Sequence, residues 1–464
     1  MANYRTPGVY IEEISTLPPS VAEVATAVPA FIGYTEIGPA ATADPVVERV
    51  ATMLEFESIF GGPSPAQYEI TQPVDDNGNP TADPGVSLVP PKTAFSLHYA
   101  IAHYFRNGGG PCYVVSVGDY DAKPSADRMG VKGGLAALEK EDEPTLIVLT
   151  DAACVLPAAD YYSVCGAALA QCRKLGDRFT ILDVARNDAK TDVGVFRNNS
   201  DLSINLMYGA AYHPYVQTSI PYVYVETGVK IKRVAPAGST FVAPTSETLS
   251  TIKRSDTALY SKVRSLLAAQ RVILPPSAAM AGIYARVDRE RGVWKSPANV
   301  GMLAVLGPVA KITDEDQDLL NVDQTAGKSI NAIRAFTGKG TLVWGGRTLA
   351  GNDNEWRYVS VRRLFITIEE STRKASAFAV FEPNDQSTWL KVKAMIESYL
   401  YGLWEQGALA GSKPEAAYYV NVGLGATMTP QDVLEGRMIV EIGIAAVRPA
   451  EFIVLRFSHK LQTA

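Results

Sequence analysis

Between residues 29 and 184 the chain alternates short runs of β-branched and aromatic residues with stretches of helical spacing, and this alternation limits the possible folds. The runs are PAFIGYT (29–35), CYVVSVG (112–118), TLIVLT (145–150) and FTILDV (179–184), and helical patterns over 93–106 and 161–175 lie among them. A mixed sheet covered by helices buries both kinds of element. An α/β (α+β) class is therefore expected. Two polar interruptions are predicted as surface features: a Pro-, Gly-, Asp- and Asn-rich excursion at 61–92 with a hairpin at DDNGNP, and a loop at 235–250.

The two ends of the chain carry strands with nothing nearby to pair with. Residues 8–15 predict a strand that runs into Pro18 and Pro19, which favour an extended arm. At the other end Asn384, Asp385 and Ser387 are candidate caps for an amphipathic helix over 388–406. Its dry face holds Trp389, Val392, Ile396, Leu400 and Leu403, and its wet face holds Lys391, Ser398 and Glu405. Two apolar strands are predicted after it, RMIVEIGIAAV (437–447) and FIVLRF (452–457), separated by Pro449. Terminal strands with unpaired backbone groups invite pairing with another chain, which points to an assembly subunit.

Composition narrows the function. With 464 residues, 47% hydrophobic and 20% charged, the chain can bury the cores of roughly two to four domains. A formal net charge of -6 argues against nucleic acid as a main partner. Residues 341–464 carry 13 basic and 13 acidic groups, so the acidic excess lies entirely in 1–340. Cys112, Cys154, Cys165 and Cys172 form no CxxC pair and lie at no metal-ligand spacing, so no metal is expected. MANYRTPGVY lacks the basic-then-apolar design of a secretion signal, and no run approaches the roughly 18–20 apolar residues of a membrane span. Cytoplasmic synthesis and assembly, without membrane insertion, is the expectation.

Enzymatic signals are weak. Gly327-Lys328-Ser329 resembles the end of a phosphate loop, but Val322 stands where the first glycine belongs, so a helix start running into INAIRAF is expected. Asn107 to Gly110 follows a helix and precedes a strand, which predicts a helix stop and tight turn. Asp151 and Asp183 sit just past apolar strands, where α/β sheets place ligand groups, but neither has a companion motif, so a helix cap or a solvated strand end is expected. His98, His103, His213 and His459 do not stack as ligand pairs. No catalytic set and no cofactor site emerges. Arg286, Asp288, Arg289, Glu290 and Arg291 form either an inter-subunit ion-pair strip or a solvated turn.

Longer strings carry a resemblance. ILPPSAAMAGIYARVDRERGVWKSPAN (273–299), INAIRAFTGKGTLVWGGRTL (330–349), WRYVSVRRLFITIEES (356–371) and EGRMIVEIGIAAVRPAEFIVLRF (435–457) resemble the tail sheath family of contractile phage tails, R-type pyocins and phage-tail-like injection systems. TPGVYIEEI (6–14), EFESIFGG (55–62) and NGGGPCYVVSV (107–117) are similar to its N-terminal part. The resemblance implies an inner domain built from both chain ends (1–28, a linking arm, and 340–464) and an inserted outer domain (29–339). It implies hexameric rings stacked around an inner tube protein, with baseplate and terminator or cap proteins at the ends and a place for sibling sheath proteins. It implies a particle that is a phage tail or a released phage-tail-like device, and no enzymatic activity. It also implies strand donation between copies, for which the residues here are Val9, Tyr10, Ile11 and Ile14 at one end and Phe452, Ile453, Val454, Leu455 and Phe457 at the other. The helix over 388–406 then either faces the tube through its wet side or only roofs the C-terminal strands. A static capsid or filament subunit, or an α/β enzyme, is the alternative.

Overall fold

The computed structural model describes residues 21–40, 42–89, 95–185, 192–244, 246–323 and 325–452. They divide into two compact units: a larger one of 25–367 with 448–452, and a smaller one of 21–24 with 368–447.

The larger unit is organised by a nine-stranded sheet. Its spatial order is Val300–Gly301, Gly340–Trp344, Ile330–Phe336, Gly209–His213, Phe179–Asp183, Leu146–Val148, Pro29–Gly33, Cys112–Ser116 and Val46–Val50. The six strands from Ile330–Phe336 to Cys112–Ser116 run parallel, and antiparallel strands flank them. Parallel strands are covered on both faces and need apolar residues at successive positions. Pro29–Gly33, Phe179–Asp183 and Gly209–His213 are accordingly buried throughout. Full burial of a side chain such as Phe31, Ile32 or Ile181 stabilises by about 1.5–3 kcal/mol. The covering helices include Leu97–Arg106, Ala158–Leu175 and Ser277–Arg291. Ser277–Arg291 crosses Leu97–Arg106 closely at Gly282, where a Cβ would lie 2.6 Å from the Tyr104 carbonyl oxygen.

Two expectations are corrected here. INAIRAF forms a strand, not a helix, paired parallel to Gly209–His213 and antiparallel to Gly340–Trp344. The 61–92 excursion, described as far as 89, is not loop throughout. Ala66–Pro73 and Gly85–Leu88 do pair as a hairpin, with Asp75 and Asn79 closing its turn, but Ala66–Pro73 also pairs with Tyr224–Val234 in a second, four-stranded sheet. Its alternate residues Tyr68 and Ile70 pack with Val229, Ile231 and the helices Leu249–Ser255 and Thr257–Ala269 into a separate small core. The alternation of AQYEITQP is what one covered face requires.

The smaller unit holds helix Gln386–Glu405 and an antiparallel hairpin of Tyr418–Val422 with Val440–Ile444. Asp385 caps the helix by accepting from Thr388 N–H at 3.0 Å. Val392, Met395, Ile396, Leu400 and Leu403 are buried along one side. Val440–Ile444 realises part of the predicted 437–447 strand, with a further bridge from Ala446 to Leu409.

Candidate assembly site

For an assembly subunit the functional groups are free backbone edges and the roots of the terminal segments. The hairpin supplies the edges. Its two strands pair only with each other among the described residues, which leaves two outer edges of N–H and C=O groups without strand partners. Its cover is also incomplete. Val440, Ile442 and Ile444 are only half-buried and Ile439 is exposed, although these are residues that a finished sheet would cover. An isolated two-stranded hairpin is marginal in water. Tyr418–Val422 carries no prediction above, although the run YYVNV has strand composition and could have flagged it.

The roots of the terminal segments are fixed differently. Val24 N–H donates to Ser371 Oγ at 3.2 Å within the smaller unit. In the larger unit Glu451 is gripped by Arg347: Nε approaches the two carboxylate oxygens at 2.9 and 3.2 Å, and Nη2 donates at 2.5 Å. Asn321 Nδ2 donates to the same carboxylate at 3.1 Å, and Tyr358 OH at 3.4 Å. Arg347 is in turn pinned through its backbone N–H and C=O to the side-chain amide of Asn331 in the large sheet. Burial raises the Glu451 carboxyl, and its hydrogen bonds with Arg347 and Asn321 outweigh that and hold it below the ordinary range. No short-range signal joins Arg347 to Glu451, because they lie 104 residues apart. Of the proposed donor residues, Val9, Tyr10, Ile11, Ile14, Ile453, Val454, Leu455 and Phe457 lie outside the described residues; Phe452 is exposed and in no strand.

Lys391, Ser398 and Glu405 are exposed on helix Gln386–Glu405, on the side away from its buried residues. The charge cluster of 286–291 is not a turn but the last turns of helix Ser277–Arg291. Its members have different environments. Asp288 is removed from any surface strip: its side chain is only 6% exposed and pairs with buried Arg363, whose Nη1 and Nη2 donate at 3.0 and 2.5 Å. Arg286 donates to the Gly301 carbonyl at 2.6 Å. Arg289, Glu290 and Arg291 are exposed.

The enzymatic candidates are built into the fold. Lys328 Nζ donates to the carbonyls of Arg197 and Asn199, and Ser329 Oγ to that of Asn321. Asn107 stops helix Leu97–Arg106 and ties its own side chain to the backbone of Leu303. Asp151 and Asp183 are fully buried, so neither is a solvated strand end. Asp151 accepts from Tyr34 N–H, Ser96 N–H and Ser96 Oγ, and Asp183 from Ser277 N–H and Oγ. Each carboxyl thus meets the first residues of a helix, at the sheet edge where an enzyme would hold a ligand.

Burial raises Asp183 to about 7 and Asp151 to about 6, against the lowering effect of their hydrogen bonds. A folded-state value above the ordinary carboxylate range means that the fold favours the protonated acid. That contribution to stability is fully present below about pH 4 and is lost as pH rises through about 7. Asp183→Asn keeps an acceptor for Ser277 N–H without a charge. The melting temperature of the wild type should therefore fall relative to Asp183→Asn between pH 5 and pH 8. Parallel curves would show that Asp183 is ionised throughout.

With this geometry in view, similarity to known proteins is informative. Residues 351–460 match the family model of the phage tail sheath C-terminal domain. The sheath of the anti-feeding prophage, solved as a contracted helical assembly, is 33% identical, with a TM-score of 0.66, over 98% of this chain and 100% of that one. The contracted sheath complex of the extracellular contractile injection system PVC is 30% identical, with a TM-score of 0.65, over 100% and 99%. The tail sheath protein of Vibrio phage KVP40 is 25% identical over 187 residues, which are 40% of this chain and only 26% of that protein. Likeness over the full length of solved sheath subunits, together with the match to the sheath C-terminal domain, makes this chain a member of the contractile tail sheath family.

Proposed function

We propose that the chain polymerises as stacked six-fold rings around an inner tube and contracts to drive that tube through a target envelope, without catalysing a reaction. The observation that carries this reading is the pair of edges on the hairpin Tyr418–Val422/Val440–Ile444 that have no strand partner among the described residues. Terminal strands of neighbouring copies, Val9 to Ile14 of one and Phe452 to Phe457 of another, would complete that sheet by β-augmentation. The anchors at Ser371 and Arg347 set where such segments leave the subunit. The smaller unit is then the inner domain and the larger the outer one, with baseplate and terminator proteins closing the ends of the tube.

Contraction needs no nucleotide in this scheme. A subunit that gains about 500 Å² of apolar contact gains on the order of 10 kcal/mol before ordering and desolvation costs. The extended state is then a kinetic trap, released by a signal at one end. Exposed Arg289, Glu290 and Arg291 fit inter-subunit contacts worth about 0–1 kcal/mol each. Lys391, Ser398 and Glu405 fit polar contacts with the tube that can be released.

Electron microscopy of the protein expressed with its inner tube subunit tests both levels. The wild type should give sheathed tubes, and K391E/E405K should give empty sheath or bare tube while melting at the wild-type temperature. Small oligomers of the wild type would refute polymerisation; sheathed tubes from the charge-reversed variant would refute the tube-facing role alone.

A further inference from the structure

Between the 3-10 turn Ser376–Ala379 and helix Gln386–Glu405 the backbone reverses at Val380 and Phe381. Glu382 N–H donates to the Ala379 carbonyl at 3.2 Å, Val380 has φ −69° and ψ 127°, and Phe381 has φ 68°. These are the angles of a type II turn, whose third position takes glycine or asparagine because a larger L side chain crowds its own carbonyl there. Phenylalanine occupies it. The ring is fully exposed, and Val380 beside it is largely exposed as well. A single exposed apolar side chain needs no explanation, but this one is disfavoured twice, by its backbone conformation and by water. Among the described residues nothing offsets either cost.

The position of the turn indicates what does. Asn384 donates Nδ2 to the Arg437 carbonyl at 3.1 Å and accepts from Trp389 Nε1 at 2.7 Å, which holds the loop against the segment leading into strand Val440–Ile444. Ile439 in that segment is exposed, and one edge of the strand is open among the described residues. We infer that Phe381 is an apolar clamp at the contact between two copies of this chain: its ring packs on the apolar terminal segment that a neighbouring copy adds at the open edge of Val440–Ile444. The inference rests on the strand-exchange reading above and assigns that contact a specific side chain.

Phe381→Gly gives the test an unusual pair of signs. Glycine suits the turn, so the dilute, unpolymerised variant should melt at or above the wild-type temperature. The concentration needed for polymerisation should rise at least about tenfold, as when a central aromatic anchor is lost. Polymerisation at the wild-type concentration would overturn the clamp, and so would a lowered melting temperature, which would place the ring's role inside the subunit. Replacing Phe381 with the photoreactive p-benzoylphenylalanine then identifies the contact in assembled tubes. Cross-links to residues 9–14 or 452–457 of another copy support the clamp and say which end lies there. Cross-links confined to its own chain or to other surfaces overturn it. Cross-linkers placed at residues 10 and 454 keep the two claims apart: if these reach a neighbouring hairpin while residue 381 does not, the clamp alone fails, and if they reach no neighbour, strand exchange fails.

Discussion

Deleting residues 1–16 should leave a soluble subunit that melts within a degree or two of the full chain and forms no tubes at any accessible concentration. The described elements lie outside this segment: the nine-stranded sheet begins at Pro29, and helix Gln386–Glu405 packs on strand Tyr418–Val422. Assembly is a different matter. A strand of about six residues laid on the edge of the hairpin adds several backbone hydrogen bonds at about 0.5–1.5 kcal/mol each, and covers the half-buried Val440, Ile442 and Ile444. Losing roughly 4 kcal/mol at every junction weakens each contact about a thousandfold, and a lattice repeats that loss at every subunit. Sedimentation with negative-stain microscopy reads the result. Truncated protein that pellets as ordinary tubes would show that the first strand does not join the copies; truncated protein that unfolds would show that it belongs to its own subunit.

The parts of this architecture that can be read from sequence are those set by local composition. PAFIGYT, CYVVSVG, TLIVLT and FTILDV each form strands of the parallel sheet, because burial on both faces forces apolar residues at successive positions and leaves no helical spacing to compete. INAIRAF is harder: over seven residues its apolar positions satisfy either period, and only the pairing with Gly209–His213 decides between them. AQYEITQP has clean alternation, but neighbouring prolines and glycines hide it, and its partner Tyr224–Val234 lies some 160 residues on. The assembly site divides in the same way. The capping aspartate and the two faces of helix Gln386–Glu405 follow from spacing within one helix. The grip of Arg347 on Glu451, the burial of the Asp288 side chain and the strained turn at Phe381 depend on tertiary placement or on a backbone angle, and residue types alone encode neither.

Asp288 makes that dependence measurable. Asp288→Ala should destabilise the larger unit by about 3–5 kcal/mol. The reason is the residue left behind. Arg363 is 3% exposed at its side chain; its guanidinium lies 4.6 Å from the centre of the Tyr284 ring and donates to the Thr26 carbonyl at 2.8 Å, but Asp288 is its only carboxylate partner among the described residues. Removing that carboxylate strands a positive charge where water does not reach. Thermal melts should show a loss of several degrees, and the unfolding midpoint in urea should fall in step. Replacing both partners, with Asp288→Leu and Arg363→Met together, should recover most of the loss, because the pair repays little more than its own desolvation. The double variant also isolates the surface charges: with Asp288 gone but the fold restored, polymerisation that proceeds normally leaves any inter-subunit strip to Arg289, Glu290 and Arg291. An Asp288→Ala protein as stable as wild type would mean that Arg363 finds water or another acceptor, and that the helix Ser277–Arg291 is held by its apolar face alone.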